Sequence, residues 1–196
     1  MNNLLSELKR GTSESHTLLE ATYPFNTLMD KTQFSTQAYQ HNLMILASFH
    51  HAVLQYIAKN PISGTIEDML NGPAIIEALK QDLAEMGGVT QLPRFLSLPS
   101  PAHPSDTAAC SYVWMGSSMG ARQILKWLEH PEYAHLPTRY YQQMGRCGSQ
   151  WARFRAQDIW QALTCTKQQT RCISTANLLF TGLRETAVAL TTGHPA

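Results

Sequence analysis

The sequence predicts an all-α fold, a single-domain bundle of about six main helices. Three observations carry that expectation. Apolar residues recur every three or four positions over long stretches. Prolines or paired glycines close each stretch. No run alternates with period two for long, as a half-buried strand would. The chain has 196 residues, 43% of them hydrophobic, enough to bury one core of ordinary domain size.

The elements follow in order. The first helix is expected over residues 2–21, with Leu4, Leu5, Leu8, Leu18 and Leu19 apolar and Tyr23-Pro24 closing it. A second spans 35–60, with Tyr39, Leu43, Leu46, Val53, Leu54 and Ile57 on one side and Pro61 as the stop. A third opens at Pro73, a good first-turn residue, and closes at Gly87-Gly88. Residues 89–105, with Pro93, Pro99, Pro101 and Pro104, read as a long loop. A fourth helix covers 105–129 with Ser105 as its N-cap, a fifth 138–163, and a sixth 167–190. Residues 1–190 form the expected domain, and 191–196 a disordered tail.

Net charge is +1, without the basic excess that a nucleic-acid surface requires. No stretch is apolar enough for a transmembrane helix, and the first ten residues lack the apolar segment of a signal peptide. Cys110, Cys147, Cys165 and Cys172 form no C-x-x-C pair. They read as reduced, buried thiols of a cytoplasmic protein.

Two groups of residues stand out chemically. Lys9, Thr12, His16 and Glu20 are spaced three, four and four apart, so they share one polar stripe of the first helix. Taken alone, His16 reads as a boundary or surface histidine. Imidazole also serves as an axial iron ligand, and Glu20, one turn on, could take its second N–H. Lys9 lies about 10 Å along the axis from His16. It could pair with an anion at the far edge of a bound group.

The second group is Tyr112 to Arg122. Gly116 and Gly120 lie four apart inside a helical pattern, each costing about 1 kcal/mol relative to alanine. They leave one strip of the helix without side chains. Close packing of another helix is one reading. A planar ligand lying against the backbone is the other, with Ser117 and Ser118 placing hydroxyls beside it.

Together, in this order, the two segments resemble the proximal and distal helices of the heme oxygenase family. In that family's proximal helix a histidine follows a threonine by four and precedes a glutamate by four. The distal stretch is similar to the Gly-Ser-x-Leu-Gly-Gly form of bacterial, biliverdin-producing members. Tyr140 to Phe154 and Leu178-Leu179-Phe180 are weaker echoes. The resemblance implies heme sandwiched between the two helices, with His16 on the iron. Gly116, Ser117 and Gly120 would form the catalytic distal face. Lys9, Thr12, Glu20, Tyr112, Met119 and Arg153 would surround the heme, with Arg153 or Arg155 facing the propionates. It implies cleavage of heme to biliverdin, carbon monoxide and ferrous iron. Electrons would come from an external reductase or ferredoxin, since no dinucleotide-binding G-x-G-x-x-G occurs.

The chain departs from the pattern at three places. Met119 replaces a leucine, Ala121 replaces a second glycine, and Ser117 stands where mammalian-type members carry an acid. Three other readings are weighed beside this one. The principal alternative is a heme-binding sensor or carrier without turnover. A cysteine-dependent thiamine hydrolase on a related fold would use Cys147 or Cys110. A di-iron carboxylate oxidase would need two Glu-x-x-His motifs, and only Glu132 to His135 supplies one.

Overall fold

The computed structural model describes residues 3–192. It is all-α, with no strand among the described residues, as the periodicity predicts. The helices in chain order are α1 (Asn3–Gly11), α2 (Ser13–Glu20), α3 (Thr36–Lys59), α4 (Gly64–Leu70), α5 (Gly72–Glu85), α6 (Pro104–Leu128), α7 (Arg139–Ser149), α8 (Trp151–Arg155), α9 (Ile159–Ala162) and α10 (Thr166–Thr192). The long helices α3, α6 and α10 form the centre. α6 packs against α7 and α10, α3 against α5 and α10, and α1 and α2 lie on α10. Trp114, Tyr39, Phe49, Phe154 and Trp160 are buried in a continuous core with Leu4, Leu8 and Leu43.

Several boundaries differ from the sequence reading, each for a local reason. The first helix is two helices that meet at Thr12, where ψ opens to 0°. At the junction α10 presses close: a Cβ on Gly11 would lie 2.7 Å from Ile173 Cγ2. The turn before α5 holds a further helix, α4. Asn71-Gly72, a dipeptide that turns hairpins in β proteins, is here a corner between two helices, with Asn71 left-handed at φ 49°. The expected fifth helix is three short pieces, α7 to α9. Ser105 is not the N-cap of α6. That role belongs to His103, whose Nδ1 accepts from the Ser105 N–H at 3.1 Å, with Pro104 in the first turn. Thr191 and Thr192 belong to α10, and the rest of the expected tail lies outside the described residues.

Two fully buried carboxylates fix the helices that carry the cavity. Asp106, in the first turn of α6, accepts from Arg171 Nη2 at 2.7 Å and Nε at 3.0 Å, and from Thr175 Oγ1 at 2.6 Å. This ties α6 to α10. Asp82 of α5 accepts from the Tyr140 N–H at 2.8 Å and the Arg139 N–H at 3.3 Å, capping the open N-terminus of α7. Burial pushes the Asp82 carboxyl up from its ordinary range, and those donors pull against the rise.

His50 is wholly buried on α3, 3.0 Å from the Tyr140 hydroxyl and edge-on to Trp114. Burial lowers its pKa to about 3, so it is neutral in the fold. An unfolded histidine protonates below about pH 6.5. The stability His50 confers is therefore complete above that pH and is lost as pH falls toward 3. The loss is about 1.4 kcal/mol per pH unit, about 2 kcal/mol at pH 5. Urea unfolding at pH 7.5 and 5.0 should show the gap between the two pH values narrowing in His50→Gln. An unchanged gap would mean that His50 already carries a proton in the fold.

Candidate functional site

A cavity of about 750 Å³ opens between α1–α2 on one side and α6 on the other, with α3, α7, α8 and α10 completing its wall. Lys9, Thr12, His16 and Glu20 all line it, as do Tyr112, Gly116, Ser117, Met119 and Gly120. The two segments, about a hundred residues apart in sequence, face one space.

The α2 wall is polar and partly exposed. The His16 side chain is 54% exposed, and its Nδ1 lies 3.4 Å from Glu20 Oε2. Phe180 of α10 meets the imidazole edge-on at 5.5 Å. Nδ1 faces the carboxylate, and Nε2 has no hydrogen-bond partner among the described residues. Thr12 is buried and donates to the Leu8 carbonyl at 2.7 Å, so its hydroxyl closes the α1–α2 junction. Tyr112, half-buried on α6, sits beside Thr12 and 6.4 Å from the Trp151 ring. Burial pushes the Tyr112 phenol up, and the Thr12 hydroxyl works in the opposite direction. Lys9 is exposed on the α1 side.

The α6 wall decides between the two readings of its glycines. A Cβ added at Gly116 or at Gly120 would meet nothing within 4 Å. Helix packing is therefore not what these glycines serve. Packing glycines look different in the same molecule. A Cβ at Gly148 would meet Arg122 Cδ at 3.1 Å and Ser118 Oγ at 3.2 Å, and one at Gly182 would meet Ser97 Cβ at 2.5 Å. Ala121 is 4% exposed but still borders the cavity. The Ser117 hydroxyl donates to the Trp114 carbonyl at 2.7 Å. Its proton is thus committed to the backbone, and its lone pairs remain to accept. Ser118 is buried and donates to the Met115 carbonyl at 2.6 Å, away from this role.

One site residue requires correction. Arg153 does not border the cavity, whereas Arg155, two residues on, does. On the one-turn helix α8, positions two apart point in different directions. Among the wall residues that sequence reasoning missed are Asn42, Tyr141, Phe49, Met29 and Gln123. Asn42 had a signal: it is an amide on the buried stripe of α3 between Tyr39 and Leu46.

The rival chemistries find little support. Burial pushes the thiols of Cys110 and Cys147 up, Cys172 to about 12, so none is prepared as a nucleophile. Cys165 is exposed, contrary to the expectation of four buried thiols. Among the described residues no group of three or more His, Cys, Asp or Glu could hold a bare metal ion, and no helix is long and apolar enough to cross a membrane.

Solved structures resemble this chain over nearly its whole length. Heme oxygenase-1 from the cyanobacterium Synechocystis, solved in complex with heme, superposes with a TM-score of 0.73 at 20% identity, covering 97% of this chain and 93% of its own. A heme oxygenase from Neisseria meningitidis, solved with NO and CO bound, gives 0.69 at 24%, covering 98% and 94%. This chain has the heme oxygenase fold. No family model and no curated protein matches the sequence.

The open space at the two glycines makes a prediction about stability. Gly116→Ala and Gly120→Ala should each raise stability by about 0.5–1 kcal/mol, because alanine favours helix and meets no clash. Urea midpoints of the protein without ligand measure this. Destabilisation would mean that a neighbouring element packs on the strip.

Proposed function

We propose that this chain is a heme oxygenase. The observation that carries the reading is the pair of glycines on α6, Gly116 and Gly120, which open onto the cavity that His16 borders from α2. A flat group can lie against that backbone, which a side chain at either position would obstruct. The donor set fits heme. One imidazole whose Nε2 has no partner among the described residues suits an iron whose other ligands come from a macrocycle, and those residues offer no cluster for a bare ion.

In this reading His16 would hold the heme iron through Nε2, with Glu20 beside Nδ1 to fix the ring and raise its basicity. Phe180 packs on the imidazole edge. Lys9 and Arg155 are the cations on the cavity wall that pair with the propionates, Arg155 taking the role first given to Arg153. Gly116 and Gly120 set how closely a ligand approaches α6. Ser117 accepts a hydrogen bond from distal water, since its own proton is held by Trp114. Bound heme, with oxygen and external electrons, is both cofactor and substrate, and is cleaved to biliverdin, carbon monoxide and ferrous iron. The electron donor is a separate reductase or ferredoxin. Four free thiols fit the reducing cytoplasm.

The purified protein should bind hemin one to one with a sharp Soret band, and His16→Ala should lose that ligation spectrum. Supplied with ascorbate or a ferredoxin system, the complex should lose its Soret band while the broad red band of biliverdin grows. A complex that survives reductant and oxygen would make the protein a heme carrier or sensor. Gly120→Leu should cut turnover more than tenfold and uptake less. Equal turnover in that variant would remove α6 from the site.

A further inference from the structure

Asn42 is an amide on the largely apolar buried side of α3. It is 1% exposed, and it lies on the stripe of Tyr39, Leu43 and Leu46. A buried amide is costly unless its donors and acceptor are satisfied. One half is: the Tyr141 hydroxyl donates to Asn42 Oδ1. Tyr141 is itself 1% exposed and stacks at 5.9 Å on Tyr39, whose hydroxyl donates to the Pro137 carbonyl at 2.7 Å. The chain therefore holds both the amide and the phenol that orients it.

The other half is open. Among the described residues Asn42 Nδ2 finds no hydrogen-bond partner, yet it is not among the polar atoms sealed from solvent without one. Asn42 and Tyr141 both border the cavity, so the space available to those two N–H groups is the cavity. A neutral carboxamide donor recognises an oxygen acceptor. Anionic oxygens are better served by Lys9 and Arg155, which border the same cavity. What remains for Asn42 is a neutral oxygen.

We propose that Asn42, locked by Tyr141, is a positioning residue whose Nδ2 binds a neutral oxygen acceptor inside the cavity. This rests on the heme oxygenase reading. Two sources supply that chemistry. One is an ordered water beside the bound macrocycle. The other is the carbonyl of an open-chain tetrapyrrole, because heme has no carbonyl on its ring and opening at a meso carbon creates two.

Two titrations with the same variants distinguish them, using hemin and biliverdin as probes. Asn42→Leu conserves volume and removes the donor. Tyr141→Phe keeps Asn42 but frees its amide to rotate, and it serves if the leucine variant fails to fold. If the acceptor is the open-chain carbonyl, Asn42→Leu weakens biliverdin binding about five- to tenfold and leaves hemin affinity within about twofold. Tyr141→Phe then gives a smaller loss in the same direction. If the acceptor is water, the variants shift the midpoint of the acid–alkaline spectral transition of the ferric hemin complex by half a pH unit or more. Unaltered protein that takes up both compounds, with variants indistinguishable from it in both arms, overturns the proposal alone. Unaltered protein that takes up neither overturns it together with the reading beneath it.

Discussion

At Gly116 and Gly120, one turn apart, α6 presents bare backbone to the cavity, and the space beside each stays open. A helix of 25 residues with two interior glycines should fray or bend unless it is held elsewhere. Asp106 holds it, buried in the first turn and bound to Arg171 and Thr175 of α10. The same α10 supports α1 and α2 from beneath, with Ile173 against Gly11 and Phe180 against His16. The width of the gap between α2 and α6 is thus set by one helix that both of them touch. The cavity exists because neither wall can close on the other.

The walls divide the chemistry between them. The α2 side offers an imidazole backed by a carboxylate, and the cations Lys9 and Arg155 also border the space. The α6 side offers bare backbone and a serine whose proton is already committed. Asn42 and Tyr141 add a fixed neutral donor from α3 and α7. A ligand that suits all three is flat, carries anionic groups, and accepts a nitrogen ligand on one face. Deeper in the core, His50 and Tyr140 form a neutral pair that does not border the cavity through the histidine.

Much of this was legible in the sequence. Long helices with proline and glycine stops are local properties, and α3, α5 and α6 begin within a residue or so of where the pattern places them. The stripe of Lys9, Thr12, His16 and Glu20 survives the break at Thr12, because backbone bonds from Thr12 to Leu8 and from His16 to Thr12 carry the helical phase across it. What was not legible depends on partners distant in sequence. At the break, Gly11 lies against Ile173 of α10, 162 residues later. The capping of α7 needs Asp82, 57 residues earlier than Arg139. Whether Gly116 packs or opens could not be read from α6, since a glycine pattern is identical in both cases. Arg153 and Arg155 were equivalent on paper, and only the direction of a one-turn helix separates them. Asn42 carried a signal that was available: a lone amide on a buried stripe.

The central claim is that one flat group touches both walls at once. Paramagnetic broadening measures that contact residue by residue. Backbone amide spectra of the protein with hemin, compared with those of its complex with a diamagnetic gallium protoporphyrin, should show the signals of His16, Gly116 and Gly120 broadened together beyond detection. Broadening confined to one wall, or spread over surface residues away from the cavity, would contradict the account.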